Sequence, residues 1–239
     1  MVRLSSGPSS RADDVTRTLR KRPPDRIRVR RNPKKGRYER ERIEAILDRS
    51  LVGHVAFVDR GEPVCIPVLY ARTGRDLYIH GSRASRTMRA LARGEPACFA
   101  VTVLDALVLA RSAFEHSANY ESVVAFGRFR PVDGDDARLV ALAAFTNKLL
   151  PGRWDEVRRP NAKELKATIV LAMPIDEASA KVRTGPPDDD NTDDAELDVW
   201  AGELPIVHEF GTPIPSPGLR AGTHLGNSLA RLIRDRQLP

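Results

Sequence analysis

Five residues in a short stretch have the types and spacing to hold an anion: His80, Gly81, Ser82, Ser85 and Arg86, within "YIHGSRASRTMRAL" (Tyr78 to Leu91). Tyr78 to Ser82 reads as the end of a strand, and Met88, Leu91 and Ala92 give the segment after Ser85 a helical period. Arg83 and Arg86 then stand at the start of a helix, where the dipole and the free backbone N–H groups disfavour a cation unless something negative is bound. Two hydroxyls, a guanidinium fork and free amides converging there describe a phosphate cradle. A serine-capped helix with surface arginines accounts for the same residues. Tyr78 and His80 alternate with Leu77 and Ile79, so they share the face opposite the apolar one, where a cofactor has room to lie.

Other chemistries lack an anchor. His54, His80, His116, His208 and His224 are scattered, with no paired-histidine helix and no CxxC, which excludes a standard zinc site. No GxSxG elbow, phosphate-binding P-loop or dinucleotide GxGxxG occurs. The acidic loop "TGPPDDDNTDDAELD" (Thr184 to Asp198) reads as solvated, and it lacks the alternating ligands, central Gly and terminal Glu of a calcium loop.

The elements that would position the cradle follow from patterning. "YERERIEAILDRS" (Tyr38 to Ser50) puts Ile43, Ile46 and Leu47 on one helical face. Three β-rich runs follow, split at Arg60-Gly61 and Thr73-Gly74. "PACFAVTVLDALVLARSAF" exceeds an ordinary strand and is expected to fold back at Asp105-Ala106. "ESVVAFGRFRPVD" is a strand with Gly127 at a bulge or close approach, and "DDARLVALAAFTNKLL" is a helix. Asn161 and Glu164 form a capping box before the buried strand "TIVLAMPI". Hairpin-length connections between about six strands predict a mainly β, α+β fold: an antiparallel six-stranded split barrel with flanking helices.

The net charge of +7 is unevenly placed, since residues 1–37 carry +10 and the rest of the chain −3. Residues 1–36 are expected to be a basic, flexible arm, 37–205 the barrel domain and 206–239 a C-terminal extension in which Leu225, Leu229, Leu232 and Ile233 form a short helix face. The arm gives one route to nucleic acid through phosphate contacts, although it has no interleaved aromatics. Cys65 and Cys98 lie in apolar runs and read as buried thiols in a reducing compartment. Neither a membrane-spanning apolar run nor a secretory signal is visible, so the expected location is the cytoplasm, with no membrane partner.

The ordered series "HVAFV", "PVCIPVLYAR", "LYIHGSRASRTMRAL", "VLARSAFEHSANYESVVAFG", "KELKAT" and "ASAKVRTGPP" resembles the FMN-binding split-barrel family related to pyridoxamine 5′-phosphate oxidase, and in particular its flavin-nucleotide-binding branch, which includes nitroimidazole-resistance flavoproteins. The likeness runs from Arg37 to Gly202. It implies FMN as the cofactor and its phosphate as the expected anion. It further implies that Ile66, Pro67, Val68 and Leu69 offer backbone groups to the ring edge, although Pro67 can only accept. His80 and Gly81 would flank the ribityl chain or ring, and Ser82, Ser85 and Arg86 would hold the phosphate. Asn119, Tyr120 and Ser122 would close the site from a partner subunit, with Lys181 and Arg183 as later contacts.

By the same resemblance the protein is a homodimer with its sites at the interface. It would be an oxidoreductase passing electrons from a reduced nicotinamide or similar donor to a small acceptor such as a nitro or quinone-like compound. Glu121 stands where the branch carries a basic residue, a change expected to alter substrate charge or the dimer contact. The C-terminal arrangement that holds the substrate phosphate in true pyridoxamine phosphate oxidases is not found. A deazaflavin- or haem-binding protein on the same barrel, with His116 as a haem candidate, a non-catalytic flavin module, and a nucleic-acid binder remain as other readings.

Overall fold

The computed structural model describes residues 23–189 and 193–235. After a short 3-10 turn, β1 (Gly36–Arg37) leads into α1 (Arg40–Arg49), whose buried Ile43, Ile46 and Leu47 are the expected apolar face. β2 (Val52–Asp59) and β3 (Glu62–Leu69) are joined by Arg60 and Gly61, both at positive φ, a turn whose twist matches the hairpin. β4 (Ala71–Thr73), β5 (Asp76–Ser82) and α2 (Arg86–Ala92) follow. Next come β6 (Pro96–Leu109), β7 (Ser117–Arg128), β8 (Arg130–Pro131) and α3 (Asp135–Leu149). The chain continues through α4 (Ala162–Ala167), β9 (Thr168–Pro174), β10 (Glu177–Arg183), β11 (Gly202–Pro205) and α5 (Asn227–Asp235).

The strands form two antiparallel sheets, a large one in the order β1-β10-β7-β6-β2-β3 with β11 on β6, and a small one in the order β4-β5-β9-β8. Between them lies the core of Val55, Phe99, Val101, Leu77, Ile79, Leu171 and Met173, each at most 1% exposed. The chain changes sheets at Tyr70, buried between β3 and β4, whose hydroxyl donates to the Leu47 carbonyl at 2.6 Å. This is the α+β split barrel expected, with seven rather than six strands of seven or more residues among the described residues.

Four local expectations change. Asp105-Ala106 is not a turn: β6 is a single strand of 14 residues, and the register shifts between Leu104 and Ala106 so that Asp105 is the extra residue of a bulge. No glycine is available there to take a positive φ, and the bulge lets one edge of β6 pair with β2 through Ala97 to Ala100 and with β11 through Ala106 to Leu109. The chain instead turns at residues 111–116. The cysteines are not core thiols, since Cys65 is exposed and Cys98 half-buried.

The acidic loop is anchored at Asp189, which is fully buried and accepts from the Arg111 amide at 2.6 Å and from its guanidinium at 3.0 Å. Ordered contacts also reach further towards the N-terminus than the boundary drawn at residue 36. Arg26 stacks on Phe126 and pairs with Glu177, and the Val29 amide donates to the Tyr38 hydroxyl at 2.8 Å. Residues 1–22, most of the expected arm, lie outside the described residues.

Other readings hold. The Asn161–Glu164 capping box forms, and a Cβ on Gly127 would stand 2.8 Å from Met173, a close approach. Leu229, Leu232 and Ile233 fall in α5, whereas Leu225 lies before it and is exposed; the helix docks on the 153–156 turn as the Ser228 amide and hydroxyl donate to Glu156. Among the described residues no helix is long and apolar enough to cross a membrane.

Candidate functional site

β5 carries the anion-site residues to the mouth of the split. Its Leu77 and Ile79 fill the core, while Tyr78, His80 and Ser82 point to the other face of the small sheet. That face is not bare, because α3 lies along it and Phe145 meets the His80 ring edge-on at 4.3 Å. Packing against that helix takes the imidazole partly out of water and pulls it below its ordinary pKa. Gly81 faces the core with Met88, where a Cβ would come within 3.0 Å.

Both serines accept from backbone amides. Ser82 Oγ takes the Ala84 N–H at 3.2 Å, and Ser85 caps α2 by taking the Met88 N–H at 3.4 Å. Each keeps its own O–H to donate outward. Arg83 is tied to the end of α4, with Nε donating to the Lys166 carbonyl at 2.9 Å. Arg86 projects into solvent but its Nε donates to Asp59 Oδ2 at 2.7 Å, and Arg93 reaches Oδ1 of the same carboxylate at 3.2 Å. Asp59 is 4% exposed and held below the ordinary carboxylate range, first by the Arg86 hydrogen bond. The helix-start cations therefore have an internal anion, and the remaining Arg86 N–H groups are free to meet a second.

Ile66 to Leu69 lie on β3, which among the described residues pairs only with β2. The other edge of β3 keeps its backbone groups outside any ladder. Beyond its pairing with β4 through Asp76 to Tyr78, β5 is likewise open at Ile79 to Ser82 on that side. Both open edges start from the Tyr70–Ala71 corner, where the chain passes from the large sheet to the small one.

The later candidates do not act as one group. Asn119 is buried on the inner face of β7, donates to Glu203 and accepts from Arg183. Arg183 also donates to the Gly185 and Pro186 carbonyls at 2.9 and 3.0 Å, so it fixes the loop after β10. Tyr120 and Ser122 face the other way, with Lys181 opposite Ser122 in register and its ammonium 5.8 Å from the Tyr120 ring. Glu121 is turned inward, 7% exposed, and binds Arg42 and Arg49 of α1. Through these two pairs it fastens α1 to the large sheet. His116 lies in an exposed loop with Nδ1 2.9 Å from the Ser112 carbonyl.

Sequence reasoning passed over Asp59, a lone acid before a hairpin, 27 residues from its arginine.

Comparison with known proteins gives the context. The family model described as pyridoxamine 5′-phosphate oxidase matches residues 39–182. The FAD and heme binding protein from Mycobacterium smegmatis is 42% identical, over 82% of this chain and 96% of its own, with a TM-score of 0.79. The flavocytochrome Anf3 from Azotobacter vinelandii is 37% identical, over 87% of this chain and 96% of its own, with a TM-score of 0.81. A protein assigned to 5-nitroimidazole antibiotic resistance from Bacteroides thetaiotaomicron shares the fold, at 19% identity and a TM-score of 0.54 over 62% of this chain and 86% of its own. No curated protein sequence matches the chain.

Proposed function

The chain belongs to the pyridoxamine 5′-phosphate oxidase family, and from that premise we propose that it is a dimeric redox flavoprotein carrying a haem as well as a flavin. One observation carries the reading: two proteins described as binding FAD and heme, or as a flavocytochrome, are 42% and 37% identical to it over more than four-fifths of its length. The sequence resemblance implied FMN; the Mycobacterium smegmatis relative, described as binding FAD, favours that flavin instead.

Ser82, Ser85 and Arg86 are the residues that would bind a flavin phosphate, and the open edge of Ile66 to Leu69 would meet the ring. The flavin would take a hydride from a reduced nicotinamide or similar donor, and the haem would accept electrons singly. The protein's share is to orient the two groups and exclude water.

Two features support a homodimer. The outer face of the large sheet exposes Val52, Val58, Leu69, Leu104, Leu107 and Leu204, each at 39% or more. The irregular stretch between β11 and α5 carries exposed Val207, Phe210 and Ile214, which a second copy would cover. Tyr120, Ser122 and Lys181 lie on that sheet face, where a partner's site could use them.

The test is the visible spectrum of the purified protein before and after incubation with FAD, FMN and hemin, read through gel filtration, with chromatography of the released flavin. Flavin and Soret bands co-eluting at dimer size, together with reduction by NADH or NADPH, are expected. Released FMN would restore the mononucleotide. A colourless protein that ignores all three would overturn the reading.

A further inference from the structure

Resting on the flavin reading above, we propose that Arg83, Arg138 and Lys166 form a second phosphate site beside the first, which takes the adenylate phosphate of FAD and so selects the dinucleotide over FMN. The three cations line a cavity of about 360 Å³ together with Asp135, Ala162 and Leu165. Of these residues only Asp135 is acidic, and it is paired with Arg138, so the cavity keeps a surplus of positive charge. Glu164, on the same helix α4, is drawn away to Arg158 at 2.7 Å.

Two of the cations are fixed by the end of α4. Arg83 donates from Nε to the Lys166 carbonyl at 2.9 Å and from its amide to the Ala167 carbonyl at 3.1 Å. Arg138, in the first turn of α3, donates from Nη1 to the Leu165 carbonyl at 2.8 Å. The last carbonyls of a helix attract cations, which accounts for one N–H of each guanidinium. It does not account for the terminal nitrogens of Arg83, nor for Lys166, whose ammonium has no hydrogen-bond or carboxylate partner among the described residues. Like charges gathered around one cavity repel each other unless an anion joins them, and a fork anchored by its Nε presents its two outer nitrogens to a phosphate.

The place of the cavity fits a dinucleotide. Ser82 ends β5 in register with Thr168, the residue just past α4, and Arg83 follows it directly. The residues that would hold the flavin's own phosphate and the wall of the cavity are therefore consecutive in the chain. In FAD the two phosphates share one bridging oxygen, so it needs two adjoining sites, whereas FMN ends at the first. The cavity is at the small end of those that hold ligands, which suits a phosphate with its sugar.

The experiment is equilibrium titration of the flavin-free protein with FAD and with FMN, followed by flavin fluorescence, for wild type, Lys166→Ala, Lys166→Glu and Arg83→Ala. Lys163→Ala, which removes a charge from α4 outside the cavity, is the control, and urea midpoints check folding. The expected result is FAD binding weakened by about tenfold or more in the three cavity variants, most in Lys166→Glu, with FMN affinity unchanged and Lys163→Ala like wild type. Arg83→Ala also loosens the end of α4, so the two Lys166 variants carry the decision. Unchanged FAD affinity in both of them, or an equal loss for FMN, would overturn the site. Unchanged FAD affinity with a raised KM for NADPH but not for NADH would give the cavity to the 2′-phosphate of the electron donor and overturn the assignment as well. A wild-type protein that binds neither flavin would overturn the flavin reading itself and this site with it, a failure separate from the others.

Discussion

Arg86 Nε donates to Asp59 Oδ2 at 2.7 Å, joining the start of α2 to the end of β2. The anion that the helix-start arginine demands is thus partly supplied from within the chain. If Arg86 also holds a flavin phosphate, Arg86→Ala should weaken flavin binding by about 1.5–3 kcal/mol, the range for hydrogen bonds to charged groups. Equilibrium titration followed by fluorescence quenching measures it. The Asp59 pair makes a separate prediction. Its folded pKa is depressed, so its contribution to stability is present above the unfolded carboxylate pKa and lost as pH falls through the folded value. Asp59→Asn should therefore be less stable than wild type at pH 7, with the difference closing in acid. An Arg86→Ala protein that loses stability but keeps its flavin affinity would make the pair purely structural.

The sequence made the strand and helix order readable because the barrel's two faces differ so sharply. Leu77 and Ile79 against Tyr78 and His80 show the period, as do Ile43, Ile46 and Leu47 on α1. It misled at Asp105, since nothing local distinguishes a bulge inside a long strand from a weak turn; that depends on β2 and β11 sharing one edge of β6. The same limit applied to the site. Ser82, Ser85 and Arg86 were legible as neighbours in sequence, whereas Asp59 and Glu121 reach their arginines across elements. Asn119 and Tyr120 are adjacent in the chain yet face opposite sides of β7, and Asn119 is spent on Glu203 and Arg183.

Lys148 closes the last turn of α1 from α3. Its ammonium donates to the Leu47 carbonyl at 2.8 Å and stands 3.5 Å from the centroid of the Tyr70 ring. The carbonyl and the ring favour the charged form, but burial outweighs them and brings the pKa down to about 8. Below that value the folded and unfolded chains both hold the proton and the desolvation cost is fully present. Between about pH 8 and 10.4 the unfolded chain holds more protons, so stability rises with pH. Urea unfolding should show a gain of about 1–2 kcal/mol from pH 7.5 to 9.5 that is missing in Lys148→Met. Staying below pH 10 avoids the opposing effect of Tyr70, whose buried phenol is pushed up and ionises only on unfolding. An equal rise in both proteins would assign the effect to another group.

Gly53 should tolerate no side chain. An added Cβ would stand 2.2 Å from Phe99 Cζ and 2.7 Å from Cε2, and the ring cannot retreat because it is fully buried against Tyr70. Gly53→Ala is expected to destabilise the protein by about 1–3 kcal/mol, the usual cost of overpacking a core. Gly211, where a Cβ meets nothing within 4 Å, is the control, and its alanine variant should stay within about 0.5 kcal/mol of wild type. Equal urea midpoints for Gly53→Ala and wild type would mean that the sheet yields at this point.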